Sequence, residues 1–169
     1  RTLPYPRRFA TAMRLAKLAQ PFAGLMPKRL GNLVRLAGRE TRTEILSPQV
    51  FPAEGTLRKR VLLLAGCAQQ ALDGEINAAT IRVLTRHGCE VVIAEGAGCC
   101  GALPLHMGRE EEGRALARKT AAAWSEVPDI DAVVVNASGC GTTVKDYGHL
   151  LGGEGKRIGA MTRDVSEIL

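Results

Sequence analysis

The sequence predicts an α/β protein: a three-layer fold in which a parallel sheet carries helices on both faces, preceded by basic amphipathic helices. Three observations predict it. From residue 59 onward, short apolar runs alternate with longer stretches of helical character, which is the chain pattern of a parallel sheet with crossover helices. The apolar runs RVLLLAG, EVVIAEG and DAVVVNASG show no polar alternation, as expected of strands covered on both faces. The chain is 46% hydrophobic but only 4% aromatic, so Ala, Val, Leu and Gly must build the core. That palette suits helices packed on a buried sheet better than a β-sandwich.

Residues 1–58 read as a basic helical segment followed by an extended linker. Phe9, Met13, Ala16 and Ala19 recur at three- and four-residue steps, as do Leu30, Leu33, Val34 and Ala37, which predicts two short amphipathic helices. Pro21 and Pro27 separate them. From Thr41 to Thr56 the periodicity disappears, and SPQVFPAEG reads as the linker. Residues 59–169 read as the α/β domain. RVLLLAG is its first strand and DGEINAATIRVLTRHG the following helix, closed by Gly88. EVVIAEG is the second strand and MGREEEGRALARKTAAAWSEV the second helix. DAVVVNASG is the third strand, and TTVKDYGHLL and IGAMTRDVSEIL finish the chain as helices. Three strand–helix pairs in succession make half of a Rossmann-like sheet.

Charge divides the chain at the same place. Residues 1–60 carry a net +10 and residues 61–169 a net −4, so the two parts face different partners. The basic part suits packing between domains or on a partner subunit, or contact with an anionic membrane surface. Nucleic acid is disfavoured, because aromatics are scarce and no recognition motif is present. No run of 18 apolar residues exists, so no membrane-spanning helix is expected. The opening RTLPYPRRF has neither Met nor a signal-peptide pattern, and reads as the start of a fragment of a longer chain. Five cysteines without a secretory signal point to reduced thiols in a cytoplasmic setting.

Four of those cysteines fall just past strand ends. Cys67 follows the first strand, Cys99 and Cys100 the second, and Cys140 the third. A parallel sheet puts those ends on one edge, where such folds build their sites. Cys89 precedes the second strand, lies on the opposite edge, and reads as a small buried hydrophobe. Adjacent Cys99 and Cys100 are poorly placed to pair with each other, since trans neighbours hold their Cα atoms about 3.8 Å apart and a disulfide wants about 5–6 Å. Converging thiolates repel unless a cation joins them, and soft thiolates select iron–sulfur clusters, zinc or copper(I). Zinc favours short C-x-x-C knuckles, which are absent, whereas adjacent ligands suit a multi-iron cluster. Gly66, Gly96, Gly98, Gly101, Gly139 and Gly141 flank the candidates and let the backbone approach closely. A metal-free redox dithiol and a set of inert buried thiols are the alternatives.

Other polar residues near that edge carry weaker signals. His106 is a surface or helix-start histidine, or an unusual ligand; His87 favours the C-terminus of its helix; His149 is open to either reading. Asn136 and Ser138 either donate to the site or satisfy local backbone, and Lys145 and Asp146 read as helix-surface charges. No nucleophile–base pair, carboxylate pair or phosphate-binding glycine fingerprint is evident, so no catalytic site is expected on this chain.

The segments INAATIRVLTRHG, GCCGALPLHMGRE and VVNASGCGTTVKDYGHLL resemble the CCG cysteine-rich domain family, and within it the iron–sulfur subunits of glycolate oxidases. The resemblance implies that Cys67, Cys99, Cys100 and Cys140 hold an iron–sulfur cluster. It implies an electron-transfer subunit of a 2-hydroxy-acid dehydrogenase, with FAD on partner subunits and a quinone-type acceptor. It further implies a ferredoxin-like part and a second CCG domain that this sequence does not contain, and a cytoplasmic or peripheral inner-membrane location. Where the family pattern ends in Cys-x-x-Cys, this chain has Cys140-Gly141-Thr142-Thr143. Four thiolates suit an ordinary [4Fe–4S] cluster rather than a five-cysteine split one, with the Thr143 hydroxyl free to donate to a sulfide. The alternatives are a structural domain with a vestigial site that docks flavin subunits, or the related subunit of a heterodisulfide reductase, lactate or glycerol-3-phosphate dehydrogenase system.

Overall fold

The computed structural model describes residues 2–37 and 42–169; Thr41, the start of the expected linker, lies outside them. The two basic helices form as expected, α1 at Pro6–Ala19 and α2 at Lys28–Ala37, with a 3₁₀ turn at Gln20–Leu25 between them. Pro6 in the first turn of α1 suits a position where no backbone donor is needed. The expected linker is more than a linker. Its Gln49–Phe51 stretch forms strand β1, which pairs antiparallel with β3 (Cys89–Ile93), Val50 facing Val92. Residues 42–46 are also tied down: Glu44 N donates to Gln70 O at 2.9 Å and Leu46 N to the Gln70 side chain at 2.9 Å.

The remaining strands are β2 (Lys59–Leu63), β4 (Ala132–Val134) and β5 (Thr162–Arg163), and the sheet runs β1-β3-β2-β4-β5. All neighbours except β1 and β3 are parallel. An antiparallel edge strand on a parallel sheet is a common device for closing an exposed edge. β5 corrects the expectation of a helix over IGAMTRDVSEIL. Helix α9 (Gly153–Met161) ends where Thr162 leaves helical geometry and pairs with Val133. The chain then closes in a 3₁₀ turn at Val165–Glu167, capped by Asp164, whose side chain accepts from Ser166 N at 2.9 Å.

Side chains alternate across the central strands even though nearly all are apolar. Val61, Leu63, Val91, Ile93 and Val134 face one way, toward Ile81 and Leu84 of α4 (Glu75–Arg86). Leu62, Val92 and Val133 face the other way, toward Ala117, Ala121 and Trp124 of α6 (Glu110–Ser125). On that second face the expected helix TTVKDYGHLL is broken at Asp146 into α7 (Ser138–Lys145) and α8 (Tyr147–Leu151). Both faces of the sheet are thus covered, giving the three layers the sequence predicts. Three glutamates open α6, where the helix dipole favours negative charge. Among the described residues, no helix is long and apolar enough to cross a membrane.

Candidate metal centre

Three loops leave the carboxyl edge of the sheet, and each brings cysteine. After β2 the chain runs through Gly66, at φ +72°, into Cys67, just ahead of the short helix α3 (Gln69–Leu72). After β3 it turns at Glu95 and Gly96 and reaches Cys99 and Cys100. β4 ends earlier than expected, and the short loop after it leads into α7, whose first turn holds Cys140. Cys67, Cys99 and Cys100 are buried and Cys140 is partly exposed.

The four thiols meet. They influence one another in a row, Cys67 with Cys99, Cys99 with Cys100, and Cys100 with Cys140. That row sets their acidity. The neighbouring Cys99 thiol, helped by burial, pushes the Cys67 thiol far up. Cys99 is pushed up to about 11, chiefly by its neighbour Cys100, and Cys100 to about 12, chiefly by its neighbour Cys140. Only Cys140 is lowered, chiefly by its neighbour Cys100. The side-chain charges bearing on the four are one another's, with burial and backbone amides as the other influences. Without an added cation, at most part of such a set ionises. Among the described residues, no three His, Cys, Asp or Glu side chains surround one point as a single metal ion requires. A row of soft donors from three loops fits a multi-iron core, in which different sulfurs bind different irons, better than a mononuclear site.

Cys89 is absent from this group. It opens β3 on the far edge, and burial raises its thiol. His106 ends the short helix α5 (Ala102–His106) and is exposed on an open cavity that also touches Thr142 and Asp146. His87 caps α4, its Nδ1 lying 2.8 Å from Val83 O, and His149 is exposed on α8. Thr143 does not have a free hydroxyl: its Oγ1 donates to Gly139 O at 3.1 Å within its own helix. Lys145 is paired with Glu167 at 2.8 Å.

The backbone around the thiols is held from several sides. Gly101 N donates to Cys99 Sγ at 3.4 Å. Thr120 Oγ1, from α6, donates to Cys99 O at 3.0 Å and accepts from Gly98 N at 3.3 Å. Tyr147, fully buried on α8, donates its hydroxyl to Cys100 O at 2.9 Å. Tyr147→Phe leaves that buried carbonyl unpaired, and is expected to lower stability by about 1–2 kcal/mol, read as a shifted urea midpoint with an unchanged slope. Gly101 itself is at φ +88°, and a Cβ there would lie 2.4 Å from Gly113 O of α6. Gly101→Ala therefore adds both backbone strain and a clash with main chain. The expected loss is at least about 2 kcal/mol, measured by thermal unfolding.

A second arrangement was not anticipated from sequence. Asn77, fully buried on α4, donates Nδ2 to Ala65 O at 2.8 Å, in the loop that leads to Cys67. Its Oδ1 accepts from Gln69 Nε2 at 2.6 Å and from Asn136 Nδ2 at 3.0 Å. Asn136 also donates to Thr80 Oγ1 at 2.9 Å, and Gln69 to Asn136 Oδ1 at 3.0 Å. Asn136 therefore faces α4 rather than the thiols, and locks the loop after β4 to the loop after β2. The only sequence signal for this was a buried Asn in the middle of a helical apolar face.

A cysteine-rich α/β domain, with thiols gathered at the carboxyl edge of its parallel sheet, is the class that fold and site define. The family model described as CCG, cysteine-rich domain, matches residues 61–145, half of the chain, and the chain belongs to that family. It is 34% identical over 161 residues to a protein of Bacillus subtilis (strain 168) named as a probable glycolate oxidase iron-sulfur subunit, covering 88% of this chain and 36% of that protein. It is 40% identical over 120 residues to the glycolate oxidase iron-sulfur subunit of Escherichia coli (strain K12), covering 66% of this chain and 30% of that one. Lactate utilization protein A of Geobacillus kaustophilus (strain HTA426) is 28% identical over 116 residues, covering 65% and 47%. The chain thus spans about a third of the length of the first two relatives. No solved structure matches.

Proposed function

We propose that this chain is the cysteine-rich part of an iron–sulfur electron-transfer subunit of a 2-hydroxy-acid dehydrogenase, of the glycolate oxidase kind. The observation that carries the reading is the meeting of four thiols from three strand ends, with no side-chain cation of the described residues among the groups that set their acidity. Cys67, Cys99, Cys100 and Cys140 are the residues that hold the cluster, of the [4Fe–4S] type. Bound there, it supplies one-electron transfer. The chain's own residues fix the ligand loops: Tyr147 and Thr120 pin the Cys99–Cys100 backbone, and Asn77 pins the approach to Cys67. The names of the relatives support the iron–sulfur assignment and the 2-hydroxy-acid class.

In this reading substrate oxidation takes place at FAD on partner subunits, and electrons pass through this subunit toward a quinone-type acceptor. The greater length of the relatives supports further parts of the same subunit, a ferredoxin-like portion and a second cysteine-rich domain. The location is the cytoplasm, peripheral at the inner face of the membrane. The test is an anaerobic one on the assembled complex. Glycolate or lactate is added and the iron–sulfur electron paramagnetic resonance signal is followed in complexes with this chain intact and with Cys140→Ser. A substrate-induced signal that Cys140→Ser weakens agrees with the proposal. A signal that Cys140→Ser leaves unchanged contradicts it.

A further inference from the structure

The helical hairpin of α1 and α2 is packed inside out. Its inner face is closed by small and medium side chains, Ala10, Met13, Ala23 and Val34, and by Gly31, where a Cβ would stand 2.4 Å from Ala23 O. The large apolar side chains are outside. Leu15, Leu18, Phe22, Leu25, Leu33 and Leu36 are all exposed, Leu18 at 74% and Leu25 at 86% of their full surface. A hairpin stabilised only by its own contacts would turn such residues inward. Large apolar side chains exposed in this number on one hairpin mark a surface that something covers.

The charge around this patch identifies the covering. Residues 2–37 contain seven Lys and Arg and no Asp or Glu. Arg14, Lys17, Lys28, Arg29 and Arg35 all lie exposed among the leucines. Leu and Phe flanked by cations, in a segment whose residues 2–37 contain no acidic side chain, are the pattern of a helix that lies in the plane of an anionic lipid surface. Long basic side chains reach past the apolar layer to the headgroups while their stems stay apolar. The position in the fold agrees. The first turn of α1 borders a cleft of about 360 Å³ whose other wall is Gln70, Ala97 and Gly98, next to Cys99. Leu3 and Pro4 adjoin the exposed Met107 beyond Cys100.

We infer that the outward face of the α1–α2 hairpin docks on an anionic bilayer and brings the thiol-bearing edge of the sheet to the lipid side of the molecule. The inference rests on the reading of the chain as a peripheral electron-transfer subunit, and gives that reading its contact surface. An acceptor dissolved in the bilayer is then met at the edge where the four cysteines lie.

The experiment is vesicle flotation with the full chain, prepared anaerobically, on vesicles of phosphatidylglycerol mixed into phosphatidylcholine and on phosphatidylcholine alone. The anionic vesicles are expected to bind at least about tenfold more tightly, and added salt to weaken the binding. Leu18→Asp with Leu25→Asp, and separately Arg14→Gln with Lys17→Gln and Arg29→Gln, are each expected to weaken it by about tenfold or more. All five positions are exposed, and circular dichroism checks that each variant is folded. No binding to either vesicle, or binding that neither variant changes, overturns the inference and assigns the face to a protein partner. Iron in the same samples separates the two readings. Vesicle binding by iron-free protein leaves this inference standing while the cluster reading fails; iron-loaded protein that ignores vesicles does the reverse.

Discussion

Replacing Cys100 by serine is expected to reduce the iron held by anaerobically prepared protein by at least about tenfold, and to bleach its visible absorption, while far-ultraviolet circular dichroism stays unchanged. Cys100 is the right residue to remove because it sits inside the row of thiols, with Cys99 on one side and Cys140 on the other. Serine keeps roughly the volume and loses the soft donor. Cys89→Ser is the matched control. It removes an equally buried thiol on the opposite edge, in the α4-side core. Its cost is expected to be confined to stability, about 1–2 kcal/mol, with iron content unchanged. Equal iron loss in both variants would mean that folding, rather than ligation, governs retention.

Asn77→Leu is expected to be the most destabilising substitution outside the cysteines. Leucine matches asparagine roughly in shape but offers no hydrogen bonds. Ala65 O and the amides of Gln69 and Asn136 lose their Asn77 partner in a buried pocket. At about 1–3 kcal/mol for each buried group left unpaired, and allowing for Gln69 and Asn136 re-pairing with each other, the net cost is about 3–5 kcal/mol. Thr80→Val, which removes one acceptor from the same network, should cost about 1 kcal/mol. Urea unfolding measures both. The two variants differ in a second way. Asn77 holds the loop leading to Cys67, so Asn77→Leu should also lower iron retention under conditions where the protein remains folded, whereas Thr80→Val should not. A stability loss under about 1 kcal/mol for Asn77→Leu would show that the network is wetter and more adaptable than its geometry implies.

What could be read in the sequence followed from local periodicity. RVLLLAG, EVVIAEG and DAVVVNASG are strands because uninterrupted β-branched and leucine runs ending in Gly or Asn have few other uses, and from three such runs follows the shared edge that unites Cys67, Cys99, Cys100 and Cys140. Even Cys89 on the far edge is a matter of counting from the start of β3. What could not be read depends on pairing between distant segments. SPQVFPAEG is extended in either case, with Pro48 and Pro52 flanking Gln49–Phe51. Only the presence of β3 as a neighbour turns Gln49–Phe51 into a strand. β5 is two residues long inside a stretch with helical spacing, and becomes a strand because Val133 and Val134 lie open beside it. The third strand stops at Val134, earlier than its apolar run suggests, so that Cys140 gains the geometry of a helix start. The network of Asn77, Gln69 and Asn136 is polar, spans three segments, and leaves no periodic trace. Thr143 shows a related limit: its place in the motif suggested a donor for the site, but Gly139 O, one helical turn back, is the nearer acceptor.

The central claim is that the four gathered thiols exist to hold an inorganic cluster. Iron and acid-labile sulfide, counted per chain in protein expressed and purified without oxygen, test it most directly. The account predicts about four of each, with a broad absorption near the blue end of the visible spectrum that dithionite diminishes. Protein that is folded, has all five thiols reduced, and contains neither iron nor sulfide after anaerobic reconstitution would contradict it.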